Sequence, residues 1–348
     1  MPAINQARNK PMSKKVVTLG EIMMRLSTPD YKRFVQTESF DVNYGGGEAN
    51  VAAAICNYGL QSSFISKLPD NALGQAAINQ LRRYGVDTQH VARGGKRLGL
   101  YFLEPGVSMR ASQVIYDRAD ASITEVELSD FDFDKIFDGA DWFHTSGITP
   151  ALSDKAAALT LAALKAAKAK GLTTSLDLNY RKKLWTAEKA RETLTQLCQY
   201  VDVCLGPDAT LGFHPEDTDV DLSNLKQDDY KIVFKQLADK YGFKYIASTL
   251  RGSQSASDNS ISAMIFDGTE IHHTKQYNVR IVDRVGAGDS FASGLIYGLV
   301  AGLNAAQAAE FGIAASALKH TIPGDMNHAT VAEIETLIGG DGSGKIQR

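Results

Sequence analysis

The sequence predicts an α/β fold whose central sheet is mostly parallel and covered by helices on both faces. Short apolar runs rich in β-branched residues, such as 15–22 and 63–67, alternate with longer segments of helical character. Several of these segments stop at a glycine, as residues 72–84 do before Gly85. Such alternation favours a parallel sheet, because the connection between parallel strands is usually a helix.

Length, charge and cysteine content narrow the class of protein. The 348 residues, 44% of them hydrophobic, suffice for one large α/β domain or a domain with a small accessory. A net charge of -3 without a long Lys/Arg run argues against nucleic-acid or membrane-surface partners. Cys56, Cys198 and Cys204 show no Cys-x-x-Cys spacing, so neither a disulfide framework nor a thiolate metal site is indicated. Without a signal-like or membrane-spanning run, we expect a soluble cytoplasmic protein.

The first third of the chain predicts a strand, a turn and an inserted sheet. No Gly-x-Gly-x-x-Gly follows the strand at 15–22, which disfavours a dinucleotide-binding oxidoreductase. Residues 23–44 alternate between apolar and polar, as strands with one solvent face do. Residues 99–103 and 113–118 predict a hairpin outside the main sheet, a small lid with Tyr101, Tyr116 and Arg118 on one side. The alternative for these three side chains is a solvated surface.

Three consecutive glycines, Gly45 to Gly47, run into an Ala-rich segment that predicts a helix. Their backbone can approach a ligand closely, and Asn50 offers both a donor and an acceptor. A Gly-rich loop that only connects two elements is the alternative.

The middle of the chain predicts strands that carry polar groups where they end. Residues 153–170 predict a helix ended by Gly171, and 173–181, 201–207 and 245–252 predict strands. Ligands of open α/β sheets bind at the carboxyl ends of strands, so the polar groups of 177–181 are candidates for a site. Residues 261–273 predict an antiparallel hairpin at the sheet edge, with its turn at Asp267-Gly268.

The segment 284–290 predicts a phosphate-binding turn with a carboxylate beside it. Gly286 and Gly288 permit a tight bend, and the small apolar residues after Asp289 predict a helix over 290–301, followed by another over 305–318. The free N–H groups at a helix N-terminus attract phosphate. A carboxylate there would repel phosphate, so Asp289 is a candidate to accept a proton from an attacking hydroxyl. The alternative is a plain turn in which Asp289 caps the helix.

The two ends of the chain predict no further site. Residues 339–345 fit most of a Gly-x-x-x-x-Gly-Lys loop, but Ile346 replaces the required Ser or Thr and no strand precedes it. We therefore predict one domain over 15–338, with disordered tails at 1–13 and 339–348. The histidines show no metal-ligand spacing.

Residues 44–52 and 285–289 resemble, in order and spacing, the two signatures of the ribokinase-like (phosphofructokinase B-type) carbohydrate kinases. The resemblance extends over about 15–337. Within that family, 99–101, 116–118, 146–150 and 177–181 resemble 2-keto-3-deoxygluconate kinases. The resemblance implies a ribokinase-like αβα sandwich with a small β lid inserted at about 23–45 and 97–123. In relatives this lid is often a dimer interface, which implies a homo-oligomer.

The resemblance also implies roles for individual residues. Asp289 would be the base, and the N–H groups of Gly286, Ala287 and Gly288 would hold the transferring phosphoryl group. An ordinary Asp, with a pKa of about 3.9, cannot ionise an alcohol in the ground state, so proton transfer would be late. The implied sugar-binding residues are Gly46, Asn50, Tyr101, Tyr116, Arg118 and Arg181, the two arginines serving the carboxylate. The implied nucleotide-binding residues are Thr249, Arg251, Gly252, Ala314 and Ala317, with ATP and Mg²⁺ as cofactors.

Two departures from the family pattern bear on phosphate and metal binding. Arg284 stands where relatives usually have Thr or Pro, which alters the turn or adds a phosphate contact. Many relatives carry Asn-x-x-Glu where this chain has Gly206-Pro207-Asp208-Ala209, without the Glu. Mg²⁺ would then be held chiefly by ATP phosphates and water, with Asp208 as a candidate ligand.

The leading hypothesis is an ATP-dependent kinase that forms the 6-phosphate of 2-keto-3-deoxygluconate. A rival within the family is a kinase of a neutral sugar such as fructose or ribose. Arg118 and Arg181 argue against it, because a neutral sugar would leave two buried cations unpaired. A hypothesis of another class is a catalytically silent protein that binds sugar acids, suggested by Arg284 and Ala209.

Overall fold

The computed structural model describes residues 14–206 and 227–340, which form one ten-stranded sheet, one four-stranded sheet and the helices around them. The strands are β1 (Lys15–Leu19), β2 (Met23–Ser27), β3 (Asp41–Gly45), β4 (Gln61–Leu68), β5 (Val91–Arg93), β6 (Leu100–Glu104), β7 (Gln113–Asp117), β8 (Trp142–Ser146), β9 (Thr173–Asp177), β10 (Val203–Leu205), β11 (Tyr245–Ser253), β12 (Asp258–Phe266), β13 (Ile271–His273) and β14 (Tyr277–Arg280).

The large sheet has the order β13-β12-β11-β10-β9-β8-β1-β4-β5, with β14 paired to β12. Every pair from β11 to β5 is parallel, whereas β12 pairs antiparallel with β11, β13 and β14. Strands β1, β8 and β10 are buried along almost their whole length, as expected of a sheet that is covered on both faces. The predicted α/β fold with a mostly parallel sheet is confirmed.

Helices cover both faces of this sheet. They are α1 (Gly47–Asn57), α2 (Ala72–Arg83), α3 (Phe133–Ile136), α4 (Asp154–Ala169), α5 (Ala187–Cys198), α6 (Gln227–Tyr241), α7 (Ala287–Val300), α8 (Ala305–Lys319) and α9 (Val331–Gly339). Helices α4, α5 and α6 contribute to one apolar core, and α1, α7 and α8 contribute to the core on the opposite face. Among the helices described, none is both long and apolar enough to cross a bilayer.

Close packing between α7 and α8 fixes the helix that follows the glycine turn. A Cβ on Gly294 would lie 2.7 Å from the Cα of Gly312, and one on Gly298 would lie 2.7 Å from the Cα of Ala308. Side chains at these positions would push the two helices apart. The small residues after Asp289 therefore hold α7 tightly against α8.

The four-stranded sheet has the order β3-β2-β6-β7, and among the described residues none of its strands pairs with a strand of the large sheet. Strands β6 and β7 form the predicted antiparallel hairpin, while β2 pairs parallel with β6 and antiparallel with β3. We call this four-stranded sheet the lid. Its strands alternate between buried and exposed residues only in part, and β7 is mostly exposed.

Several predicted boundaries were wrong by a few residues. The strand predicted over 173–181 ends at Asp177, so Arg181 lies in a loop. The helix predicted to begin at residue 290 begins at Ala287. Gly339, assigned to a tail, is the last residue of α9. Residues 1–13 and 341–348, and the position of Asp208, lie outside the described residues.

Candidate active site

A cleft of about 2310 Å³ opens between the lid and the carboxyl ends of the parallel strands. Glu21, Asp177 and Gly206, which follow or end β1, β9 and β10, line its floor. The cleft therefore lies where an open α/β sheet binds ligands. It brings together most of the predicted site residues, namely Gly46, Asn50, Tyr101, Tyr116, Arg118, Arg181, Arg251, Gly286, Ala287, Gly288 and Asp289.

Four predicted nucleotide-binding residues do not line this cleft. Thr249 and Gly252 are exposed on β11, and Ala314 and Ala317 are buried where α8 packs against its neighbours. Their contact with a nucleotide stays a prediction.

The glycine turn gives α7 an open N-terminus that faces the cleft. Gly286 has a φ of +81°, and a Cβ there would lie 1.9 Å from the backbone oxygen of Asp325, so both conformation and space require glycine. The N–H of Ala287 donates to the Arg284 oxygen at 3.3 Å. The N–H groups of Gly288 and Asp289 make no hydrogen bond to the residues described. They are available to an anion.

Asp289 and Asn50 join the two glycine-rich turns across the cleft. The side-chain amide of Asn50 donates to Oδ2 of Asp289 at 2.7 Å, although the residues lie 239 positions apart. The residue that caps α7 is Gly286, without any side-chain hydrogen bond. The alternative that Asp289 merely caps the helix is therefore wrong, and its carboxylate is held toward the cleft instead.

The surroundings of Asp289 raise its pKa to about 7. Burial is the largest cause, and the negative charges of Asp177 and Glu48 add to it, while the hydrogen bond from Asn50 and the charge of Arg181 oppose it. Burial likewise raises the pKa of Asp177 to about 6. The expectation of an ordinary Asp at position 289 was wrong, because the sequence does not show which carboxylates meet in the cleft.

A buried ionic network lies behind the glycine turn, and sequence reasoning missed it. Arg25, on lid strand β2, donates to Oδ2 of Asp283 at 2.5 Å and to Oδ2 of Asp325 at 2.9 Å. Tyr101, on β6, donates its hydroxyl to Asp325. Asp325 also lies against Gly45, where a Cβ would come within 2.1 Å of its Oδ1. This network joins the lid to both glycine turns.

Two buried glutamates next to the cleft were also missed. Glu48, in the first turn of α1, accepts hydrogen bonds from the Ser146 amide and hydroxyl and from Thr149, at 2.6 to 3.0 Å. Glu21 pairs with Arg118. Burial raises the pKa of both carboxyl groups. An acidic residue within an Ala-rich helix start was the only local signal for Glu48.

The two arginines expected to bind a carboxylate differ from the prediction. Arg118 pairs with Glu21 and stacks on the Tyr116 ring, with its guanidinium carbon 5.4 Å from the ring centre. Arg181 is exposed and forms no ion pair with the residues described. The argument that a neutral sugar leaves two buried cations unpaired was therefore wrong, because one cation has a partner and the other is solvated.

Comparison with known proteins identifies the family. Residues 13–331 match the model of the pfkB family carbohydrate kinases. The chain belongs to this family. Its sequence is 49% identical to that of 2-dehydro-3-deoxygluconokinase from Thermotoga maritima. The crystal structure of that protein superposes on this chain with a TM-score of 0.89, and the match covers 94% of this chain and 99% of that one. It is 34% identical to 2-dehydro-3-deoxygalactonokinase from Haloferax volcanii, over 96% of this chain and 99% of that protein.

A third relative bears on the fold alone. The crystal structure of a ribokinase II from Escherichia coli in complex with ATP and Mg²⁺ has a TM-score of 0.79 at 23% identity, and the match covers 94% of this chain and 99% of that one. The ribokinase-like fold inferred from the two sequence signatures is confirmed.

In this pfkB-family chain, two guanidinium groups flank the glycine turn. Arg251 and Arg284 line the cleft, and neither forms an ion pair with a described residue. Burial and the neighbouring charge of Arg284 lower the pKa of Arg251. Two cations that repel each other beside free N–H groups fit a polyphosphate. Within residues 14–206 and 227–340, no cluster of three or more His, Cys, Asp or Glu side chains suits a metal ion.

Proposed function

We propose that this chain is an ATP-dependent kinase that phosphorylates the 6-hydroxyl of 2-keto-3-deoxygluconate. One observation carries the proposal. The carboxylate of Asp289 and the free N–H groups of Gly288 and Asp289 face a single cleft, which also contains the exposed guanidinium of Arg181. The names of the 2-dehydro-3-deoxygluconokinase from Thermotoga maritima and of its counterpart from Bacillus subtilis, the latter 28% identical over 91% of this chain, support the same substrate class.

Asp289 would act as the general base. A pKa of about 7 brings its carboxylate closer to the optimum for a base at neutral pH than an ordinary aspartate. A sugar alcohol is still a far weaker acid, so the proton would move late, as the new P–O bond forms. The hydrogen bond from Asn50 would aim the carboxylate at the 6-hydroxyl.

The glycine turn would hold the transferring phosphoryl group. The resemblance assigns this role to the N–H groups of Gly286, Ala287 and Gly288. Those of Gly288 and Asp289 are free at the positive end of α7 and would stabilise the charge of this group, whereas that of Ala287 donates to the Arg284 oxygen. Arg251 and Arg284 would hold the remaining phosphates of ATP. Mg²⁺ bound to ATP would neutralise charge on the phosphates, with Asp208 as a candidate further ligand.

Arginine side chains would recognise the sugar acid. Arg181 would form a forked hydrogen bond with the carboxylate. Arg118 would offer its Nε, which is buried and has no hydrogen-bond partner among the described residues, while its terminal nitrogen stays on Glu21. Gly46, Asn50, Tyr101 and Tyr116 would line the sugar hydroxyls. Thr249, Gly252, Ala314 and Ala317 would bind the nucleotide, as the resemblance implies.

The C4 epimer, 2-keto-3-deoxygalactonate, is a second candidate substrate. The relative from Haloferax volcanii, 34% identical over nearly its whole length, is a 2-dehydro-3-deoxygalactonokinase. The two sugar acids share the carboxylate and the terminal hydroxyl, so the groups discussed above serve both.

A coupled ADP-release assay over the two sugar acids, fructose, ribose and a no-sugar control tests the proposal. We expect turnover of at least one keto-deoxy sugar acid with a kcat/KM at least about 10²-fold above that for either neutral sugar. Equal turnover of fructose would refute the substrate assignment. Tight binding of the sugar acids in calorimetry without ADP release would favour the silent binding protein.

The lid would also join two copies of the chain. Its outer face exposes apolar side chains, among them Val42 and Ile115, each more than half exposed at 55% and 54%. Contiguous exposed apolar residues on a sheet face favour association. The mass of the protein in solution, measured by light scattering, tests this.

A further inference from the structure

A buried glutamate on the floor of the cleft holds one of the two arginines expected to bind the sugar carboxylate. Glu21 follows β1, and its side chain is 5% exposed. A terminal nitrogen of Arg118, which follows lid strand β7, donates to Oε2 of Glu21. The two residues lie 97 positions apart, and both line the cleft. This ion pair therefore joins the lid to the floor of the cleft.

The ion pair has a physical reason, because a buried carboxylate without a counter-ion is costly. Burial raises the pKa of Glu21, and the charge of Glu48 adds to this, whereas the charge of Arg118 and its hydrogen bond act in the opposite direction. Glu21 forms no ion pair with any other cation among the residues described. The charge of Glu21 thus depends on Arg118, and the position of the guanidinium depends on Glu21.

Two contacts fix the plane of the Arg118 guanidinium. Glu21 bonds one of its terminal nitrogens, and the Tyr116 ring centre lies 5.4 Å from its central carbon. A Cβ at Gly99 would lie 2.7 Å from Oε1 of Glu21, so the glycine leaves room for the carboxylate. The Nε of Arg118 is buried without a partner, and its other terminal nitrogen makes no hydrogen bond to the described residues. The guanidinium therefore keeps unused N–H groups in a fixed orientation.

We propose that Glu21 is a positioning residue that orients Arg118 for the carboxylate of the sugar acid and makes the site selective for that group. Hydrogen bonds from a guanidinium to a carboxylate are directional, so a fixed plane favours a carboxylate over anions of other shapes. Glu21 also offsets the charge of Arg118, which weakens the attraction for any simple anion. This role rests on the proposed function, because the carboxylate belongs to the proposed substrate.

Two substitutions separate the acceptor oxygen of Glu21 from its charge. Glu21→Met removes both, whereas Glu21→Gln keeps the oxygen that Arg118 bonds and replaces Oε1, which has no hydrogen-bond partner among the described residues. We expect KM for the sugar acid to rise by about tenfold or more in Glu21→Met, while kcat stays within about threefold of the parent, because Asp289 is untouched. Glu21→Gln should keep KM within about threefold of the parent.

Glu104→Met is the matched control, because it breaks a similar ion pair outside the cleft. The side chain of Glu104, on β6, is 4% exposed and accepts from Arg110 at 3.2 Å, and neither residue lines the cleft. Both Met variants should lose thermal stability, but Glu104→Met should keep KM within about twofold of the parent. An unchanged KM in Glu21→Met, or an equal rise in Glu104→Met or in Glu21→Gln, would overturn the proposal.

Sulfate binding tests the hold on Arg118 without relying on activity. In Glu21→Met the guanidinium loses its counter-ion, so sulfate should bind at least about fivefold more tightly than in the parent, as measured by calorimetry at constant ionic strength. The gain should vanish when Arg118→Met is added. If the parent phosphorylates no sugar, the proposed function fails, and this comparison still decides whether Glu21 holds Arg118. Equal sulfate affinities of the parent and Glu21→Met would refute that hold.

Discussion

The two sides of the glycine turn carry carboxylates in very different surroundings. On the buried side, Asp283 is 8% exposed and its carboxylate accepts from Arg25 and from the N–H groups of Val285 and Gly324. On the open side, Asp289 faces the cleft and accepts from the side chain of Asn50. The buried carboxylate is saturated with donors, and the open one is left with capacity to accept a proton.

This difference shows how one short turn combines rigidity and reactivity. Donors around Asp283 and Asp325 hold the backbone on this side of the turn. Burial, with a smaller contribution from the charges of Asp177 and Glu48, raises the pKa of Asp289 to about 7, which costs folding free energy but yields a better base. We expect substitutions on the two sides to affect different measurements.

The largest effect is expected on the open side. Asp289→Asn removes the base while keeping the size of the side chain, so kcat should fall by at least about 10²-fold in the ADP-release assay. Binding of the sugar acid in calorimetry should persist. A variant with more than about a tenth of the parent kcat would contradict the assignment of Asp289 as base.

On the buried side, Arg25→Met should mainly destabilise the fold. It leaves Asp283 and Asp325 buried without their shared cation, so the free energy of unfolding in urea should fall by about 3 kcal/mol. Arg97→Met is the matched control, because Arg97 precedes lid strand β6 and pairs with Asp117 of β7 at 2.6 Å in a solvated position. We expect it to change stability by less than about 1 kcal/mol. Equal losses would mean that the buried network does not stabilise the turn.

The pH dependence of kcat/KM should report the ionisation of Asp289 on the open side of the turn. Asp289 must be ionised to accept a proton, so kcat/KM should fall about tenfold per pH unit below its pKa of about 7. The charges of Asp177, Glu48 and Arg181, which line the same cleft, act on the pKa of Asp289. Asp177→Asn removes one negative charge and should shift the inflection to lower pH. An unchanged inflection would show that Asp177 does not act on Asp289.

The same raised pKa has a consequence for stability with the opposite pH direction. Because the folded-state pKa of Asp289 lies above its unfolded value, its contribution is favourable at low pH and is lost as pH rises through about 7. Asp289→Asn should therefore be more stable than the parent at pH 8 and lose this advantage at pH 4, as measured by thermal unfolding.

The smallest effect is expected at the sugar carboxylate. Arg181→Lys replaces a forked donor by a point charge, so KM for the sugar acid should rise by about fivefold while KM for a neutral sugar stays the same. This comparison tests whether Arg181, in the cleft on the open side of the turn, recognises the carboxylate of the sugar acid. The same change in both KM values would remove Arg181 from carboxylate binding.

Local sequence patterns predicted most helices and strands, but they did not predict which side chains pair with each other. The glycine bend at 286, the helix after it and the lid hairpin follow from residue conformation and periodicity within a few positions. The ion pair of Arg118 with Glu21 was not predicted, because 97 positions separate the two residues and no local pattern connects them. Boundaries such as the end of β9 at Asp177 depend on where neighbouring strands end.

The sequence by itself determined the α/β class, the two glycine-rich turns and the carboxylate beside the second, because each depends on backbone freedom or periodicity over a few residues. Only the tertiary structure decided that Arg25 meets Asp325, 300 positions away, and that Asp289 has a raised pKa. Pairing and desolvation depend on which distant elements pack together, and that is a property of the whole fold.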